Sequence, residues 1–251
     1  YALGKKTKVQ HFPISIETEE FSQLAKESAG SNHVKRLVRS VGEGKLMLGV
    51  DRLDYSKGLL KRFEAYENFL KAYPKNQGKT TLMQIAPTSR GDVNEYKEIR
   101  ENLERKAGSI NGTFADFDWN PVRYLNRGFS RKILAGFYRL SAVGLVTPLR
   151  DGMNLVAKEY VAAQSELNPG VLLLSRFAGA AEEMDGAILI NPYDVDGMAD
   201  AMQIALNMSL SERITRWTQM MDQLADFDIH RWRRDCIEAI QNVNTKNLNI
   251  A

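Results

Sequence analysis

Residues 46–63 read Leu46-Met47-Leu48-Gly49-Val50-Asp51-Arg52-Leu53-Asp54-Tyr55-Ser56-Lys57-Gly58-Leu59-Leu60-Lys61-Arg62-Phe63, the order of a buried strand, a charged loop and a helix start. Leu46–Val50 is apolar without alternation, the pattern of a parallel strand covered on both faces. From Leu59 to Tyr73 the apolar residues Leu59, Leu60, Phe63, Tyr66, Phe69, Leu70 and Tyr73 recur at three- and four-residue spacing. That period predicts an amphipathic helix, with Lys61, Arg62, Glu64 and Lys71 on its solvent face.

The unit repeats downstream. Apolar runs at Leu82–Ala86, Val122–Leu125, Val143–Thr147, Val171–Ser175 and Ala187–Ile190 alternate with helical patterns. Asp92 followed by Glu95 resembles a capping box, opening a helix that Gly108 is placed to close. Ser130 is placed to cap the next helix, over Ile133, Leu134 and Phe137. Six such strands predict an α/β fold with a doubly wound, Rossmann-like parallel sheet. Residues 1–44 read as an incoming linker with one helix, Glu19–Ser28. Residues 45–243 read as the α/β domain, helical only after residue 194 as a C-terminal extension, and 244–251 as a polar, frayed tail.

Composition narrows the class. The chain has 251 residues, 43% hydrophobic and 26% charged, as in ordinary globular domains. A chain of this length buries a sizeable core without staples. Its net charge is only +3, with basic and acidic residues interspersed, so no nucleic-acid partner is expected. Cys236 is the single cysteine, which excludes an intrachain disulfide and makes a reducing compartment, the cytoplasm, the default. His11, His33 and His230 are scattered and give no zinc spacing. No apolar run approaches the roughly 20 residues of a membrane helix, and no signal peptide is visible. Because the chain starts at Tyr1, in a segment unlike a natural start, a preceding segment is expected. Oligomeric state is not legible, and a homo-oligomer is left open.

In a doubly wound sheet ligands bind at the carboxyl ends of the strands. The loops there carry Arg52 and Lys57 after the first strand, and Arg90 after the second. Arg150-Asp151-Gly152-Met153-Asn154 follows the fourth, ahead of a helix from Leu155 that carries Glu159, and Arg176-Phe177-Ala178-Gly179 follows the fifth. Any one of these cations alone reads as a solvated surface charge. Converging on several helix N-termini, they suit a multiply charged phosphate ligand. Asp151 and Glu159, eight residues apart, do not stack on adjacent turns, so their roles should differ. A capping aspartate and a surface glutamate are the plain structural readings of the two, while hydrogen bonds to sugar hydroxyls are the functional one. No Walker A motif is present, and Gly42-Glu43-Gly44 lies on the wrong side of its strand for a dinucleotide fingerprint. No Gly-x-Ser-x-Gly elbow occurs. Asp-x-Asp pairs at Asp116/Asp118, Asp194/Asp196 and Asp226/Asp228 are weak metal signals, and helix capping explains Asp194 more simply.

The segments Gly49–Gly58, Ile85–Arg90, Thr147–Tyr160 and Phe177–Ala181 resemble the trehalose-6-phosphate synthase family in its bacterial form, over about Tyr1 to Ile240. The related glucosylglycerol-phosphate synthases are the close alternative. The resemblance implies a GT-B glycosyltransferase with two Rossmann-like domains, of which this chain matches the C-terminal, nucleotide-sugar-binding one. The N-terminal GT-B domain is expected as its missing partner. It implies a retaining transfer of glucose from UDP-glucose to glucose 6-phosphate, with no cofactor and no metal. The sequence leaves UDP against ADP or GDP open. By the same resemblance Arg52 and Lys57 hold the donor diphosphate, and Asp151 binds donor-glucose hydroxyls. Gly152, Met153, Asn154 and Leu155 supply a helix start to the donor, and Glu159 binds ribose. The Phe129 backbone meets the base, and Arg90 reaches the acceptor phosphate. A non-catalytic nucleotide-sugar-binding or regulatory module is the competing reading from another class.

Overall fold

The structure, a computed structural model, describes residues 9–88 and 94–247. Six strands form one sheet: β1 (Lys45–Val50), β2 (Thr80–Ile85), β3 (Val122–Leu125), β4 (Val143–Val146), β5 (Val171–Ser175) and β6 (Ile188–Ile190). Their order is β3-β2-β1-β4-β5-β6 and every pairing is parallel. The expected Rossmann-like sheet is therefore present, with its direction of growth reversing between β1 and β4. β1, β2, β4 and β5 are buried almost throughout, which is why they read as unbroken apolar runs.

Alternate residues of the central strands feed two separate cores. Leu46, Leu48 and Val50 face one core, and Met47 faces the other. The first core is closed by α1 (Thr18–Ser28), α2 (Asn32–Val41), α5 (Arg131–Leu140), α6 (Leu155–Ala163) and α8 (Leu210–Asp226). The second is closed by α3 (Leu59–Ala72), α4 (Asn94–Phe114) and α7 (Val195–Asn207). α9 (Ile229–Asn247) returns to the start of the described chain, where Trp232 Nε1 donates to the Phe12 carbonyl at 3.0 Å. Among the described residues no helix is long and apolar enough to cross a membrane.

Caps expected from sequence are in place. Ser130 accepts from the Ile133 amide at the start of α5, and Asp194 accepts from the Gly197 amide at the start of α7.

Four local readings need correction. The described residues of the segment 1–44 hold two helices rather than one. α2 is short and buries only Val34 and Leu37, yet Ser31 caps it and Gly42, at φ +61°, ends it. Both α1 and α2 contribute to the first core rather than forming a detached approach. Gly108 does not end α4. The buried stripe of Leu103, Ala107 and Ile110 carries the helix past it, and burial outweighs the ~1 kcal/mol propensity cost of one glycine. Asp92, the expected cap, lies outside the described residues. α9 continues through Asn247, four residues into the segment expected to fray. Finally, Arg62 is not on the solvent face of α3, because its side chain is fully buried.

The α3 face of the sheet is held by fused aromatic contacts. Phe63, Tyr66 and Phe69 are fully buried, Phe63 meets Tyr124 edge to face at 6.0 Å, and the Tyr66 hydroxyl donates to the Thr80 carbonyl. Phe63→Ala should cost about 3–5 kcal/mol, lowering the unfolding midpoint by roughly 6–20 °C for a chain of this size. Thermal denaturation checks this, and a shift under 2 °C would contradict the packing.

Candidate functional site

The loops that leave β1, β4 and β5 are tied to one another by their backbones. Leu149 N donates to Ser56 O at 2.7 Å, joining the β4 loop to the β1 loop. Asp151 N donates to Phe177 O, while Gly179 N and Ala180 N return bonds to Asp151 O and Met153 O, joining the β4 and β5 loops. Two glycines permit this closeness. Gly58 sits at φ +66°, where a Cβ would lie 2.3 Å from the Thr147 carbonyl oxygen. A Cβ on Gly179 would lie 2.1 Å from the Gly152 carbonyl oxygen.

Within this frame Lys57 and Asp151 meet. Lys57 Nζ lies 2.6 Å from Asp151 Oδ2, with both side chains about one-sixth exposed. The same oxygen accepts from Asn154 Nδ2 at 3.0 Å. Asn154 sits at φ +81°, the only non-glycine at positive φ among the described residues, a region asparagine tolerates better than most residues. From there its Oδ1 caps α6 by accepting from the Ala157 amide. One strained residue thus starts the helix and braces the acid. Gly152 is exposed in the turn, and Met153 and Leu155 are partly buried against the first core.

Arg52 is exposed on the β1 loop. Asp54 behind it accepts from the Ser56 amide and hydroxyl at 2.8 and 2.7 Å. Burial alone would raise the Asp54 carboxyl, but those bonds and the charges of Lys57 and Arg52 outweigh it and hold it below its ordinary value.

Glu159 projects from α6 toward α5, where the Tyr138 hydroxyl donates to it at 3.4 Å. Burial raises its carboxyl above the ordinary range, against the opposing pull of the Arg131 charge and the Tyr138 bond. Phe129 lies just ahead of α5, its ring edge to face with Phe137 at 5.5 Å and covered by the Arg127 guanidinium. Packing therefore occupies its side chain. Arg90 lies outside the described residues. Among the described residues no group of three or more His, Cys, Asp or Glu side chains is placed to share a metal ion.

Arg62, whose charge suggests the solvent face of α3, belongs to this region as well. Its Nη1 lies 2.6 Å from both Asp51 Oδ2 and Gln84 Oε1, and its Nε lies 2.9 Å from Thr147 Oγ1. The signal was available: Arg62 stands three residues after Leu59 and four before Tyr66, on the buried stripe.

A doubly wound sheet whose switch-point loops present paired cations and a helix N-terminus is the class of domain that takes phosphate-bearing ligands. Residues 1–242 match the model of glycosyltransferase family 20, and the chain belongs to that family. A trehalose-6-phosphate synthase of Sinorhizobium fredii is 53% identical over 234 residues, covering 93% of this chain and 50% of the relative. A UDP-forming α,α-trehalose-phosphate synthase of Burkholderia xenovorans, solved in complex with glucose-6-phosphate, superposes with a TM-score of 0.95 at 46% identity. The match covers 96% of this chain and 53% of that one. A structure from E. coli bound with UDP-2-fluoro glucose superposes at 0.91 with 50% identity, over 94% of this chain and 52% of that one. The chain thus spans about half the length of these proteins, in keeping with one half of a GT-B fold.

The Glu159 shift has a thermodynamic sign. A carboxyl whose folded pKa is raised loses stability as pH rises from its unfolded pKa through its folded one, because the native state holds the extra proton. Glu159→Gln should therefore raise the unfolding midpoint at neutral pH. The gain should vanish below about pH 4, where both states of the wild type are protonated. Paired denaturation curves across pH test it, and a pH-independent difference would contradict burial as the cause.

Proposed function

We propose that this chain is the donor-binding half of a trehalose-6-phosphate synthase, a retaining glucosyltransferase. The reaction moves glucose from UDP-glucose to glucose 6-phosphate, giving trehalose 6-phosphate and UDP. The observation that carries the reading is the Lys57–Asp151 contact, braced by Asn154, at the edge where β1 and β4 diverge. It sets a lysine, an acid and a helix start around one point, with the exposed Arg52 on the same β1 loop as Lys57, a chemistry that suits a sugar on a diphosphate. The UDP-forming activity and the UDP-2-fluoro glucose named for the similar structures support UDP as the nucleotide.

Each residue then has a task that its surroundings suit. Lys57 and Arg52 hold the diphosphate, and their charge grows in value as negative charge builds on the departing UDP. The amide groups at the start of α6, from Gly152 to Leu155, face the same group with the positive end of the helix dipole. When the diphosphate draws Lys57 away, Asp151 is released to accept from donor-glucose hydroxyls, still braced by Asn154. Glu159, kept beside Tyr138, accepts from ribose hydroxyls, and the backbone at Phe129 meets the base. Arg90 reaches the acceptor phosphate.

In the transfer the bond from the anomeric carbon to the diphosphate oxygen breaks. The acceptor's anomeric oxygen bonds to the same face of that carbon, and its proton passes to the departing diphosphate oxygen. Configuration is retained without an enzyme nucleophile. The chain's contribution is electrostatic and positional, which is what an arrangement of cations, amides and two hydroxyl-binding acids provides.

In the full-length protein, Arg52→Ala and Lys57→Ala should each lower turnover about 10²–10³-fold, the usual loss for one preorganised charge-stabilising donor. Their unfolding midpoints should stay within about 3 °C of wild type, since partly exposed ion pairs contribute little to stability. Midpoints that collapse in step with activity would make the two residues structural.

The 251-residue chain by itself should bind UDP and form no trehalose 6-phosphate. The proposed donor contacts all lie on it, whereas Arg90 is the single acceptor contact proposed on it and the rest of the acceptor pocket belongs to the other half, and effective molarities of about 10⁵–10⁸ M require both reactants in place. Titration calorimetry with UDP and a product assay on the same sample decide this. No binding at millimolar UDP would sink the donor-site assignment, and product from the chain alone would sink the division of the site.

A further inference from the structure

We infer that Arg62 is the positioning residue of the donor site, a buried guanidinium that holds the β1 and β4 loops at the spacing the diphosphate needs. The inference rests on the reading of those loops as the diphosphate site. Arg62 lies one turn into α3, its amide bonded to the Gly58 carbonyl that opens the helix. Helical side chains lean toward the N-terminus of their helix, so the guanidinium reaches back under the loop that precedes it.

There it collects three strand ends. Asp51 follows β1 and adjoins Arg52, Gln84 belongs to β2, and Thr147 follows β4 and leads into the loop of Asp151. Gln84 also donates to Asp51 Oδ2 at 3.3 Å, closing the group on itself. Arg62 is fully buried, and the Asp51 side chain is 3% exposed. The pair therefore has no direct contact with a ligand in the cleft and acts through the loops it holds. Among the described residues the Arg62 Nη2 group has no hydrogen-bond partner. A planar fork with separate Nε and Nη donors reaches Thr147 and Asp51 at once, which the single ammonium of lysine does not.

The test is made in the full-length protein with Arg62→Lys, Thr147→Val and the two combined. Thr147→Val removes one acceptor with little change of shape and keeps the buried charge pair intact. Unfolding midpoint, UDP affinity, kcat, and KM for UDP-glucose and for glucose 6-phosphate are measured for each.

Arg62→Lys should weaken UDP binding about tenfold and lower kcat about 10²-fold, the rate cost of misplacing groups by about 1 Å, with KM for glucose 6-phosphate unchanged. Thr147→Val should show the same split at smaller size. The double variant should lose less than the product of the two single losses, because both act on one bond. UDP affinity is read on folded protein below the unfolding midpoint, so a merely structural role would leave it unmoved. Wild-type UDP affinity and kcat in Arg62→Lys would overturn the inference. So would losses in Arg62→Lys and Thr147→Val that multiply independently. If Arg62→Lys fails to fold, Thr147→Val decides alone, and unchanged UDP affinity in it overturns the inference. A wild-type protein that binds UDP but transfers no glucose would sink the proposed reaction and leave the UDP arm to decide this point.

Discussion

The Asp51–Arg62 ion pair is the constraint around which the carboxyl edge of the sheet is built. A guanidinium with no access to water must have its charge answered inside the protein, or the fold does not tolerate it. Asp51 answers it, and Gln84 and Thr147 take further donors. The consequence is geometric. α3 cannot slide along the sheet, and β1, β2 and β4 cannot shift at their carboxyl ends, without breaking a buried bond. Gly49 follows from the same crowding, since a Cβ there would sit 2.3 Å from Arg62 Nη1 and 2.4 Å from Gln84 Oε1. A strand that otherwise favours branched residues carries a glycine because the arginine occupies the space.

Above that buried layer the site is made of loops, and loops need a reason to hold still. Backbone bonds between the β1, β4 and β5 loops supply one, and the close approaches at Gly58 and Gly179 supply another. Asn154 concentrates the strain. It holds an unfavourable backbone angle, yet both ends of its amide are used, one on Asp151 and one on the first turn of α6. Strain of this kind persists where surrounding contacts over-determine it. Lys57 and Asp151 neutralise each other without being deeply buried, so a more highly charged group can displace one of them at modest cost.

The two cores divide the labour. The α3, α4 and α7 side is aromatic and tightly packed around Phe63, Tyr66 and Phe69, and it carries the helix that anchors Arg62. The α5 and α6 side is less uniform. It accommodates Tyr138 and Glu159 together, and burial pushes the hydroxyl of the one and the carboxyl of the other upward. Lys158, the preceding residue on α6, is buried outright and donates to Glu183 and to the Ile14 carbonyl, which ties the incoming segment to the β5 loop. Membership of glycosyltransferase family 20 places this division in a sheet that family relatives share closely.

Much of this was written locally and could be read locally. Leu46–Val50 and Val171–Ser175 announced buried parallel strands because side chains covered on both faces must be apolar throughout. Ser130 and Asp194 announced helix starts because unsatisfied amides need a nearby oxygen. Alternation of these elements was enough to set the sheet type, and with it the edge where Arg52, Lys57 and Asp151 stand. Local pattern misled where a weak signal met a tertiary contact. The few apolar residues of α2 hid a helix that the first core completes, and Gly108 hid a buried stripe that runs on beneath it. The charge of Arg62 points to solvent, whereas its place on the stripe points to the core. What only the folded chain decided was which distant groups would answer one another. Lys57 and Asp151 are 94 residues apart, and Arg62 and Thr147 are 85 apart. Propensity and periodicity act over a few residues, whereas a buried charge finds its partner through the order in which strands lie side by side.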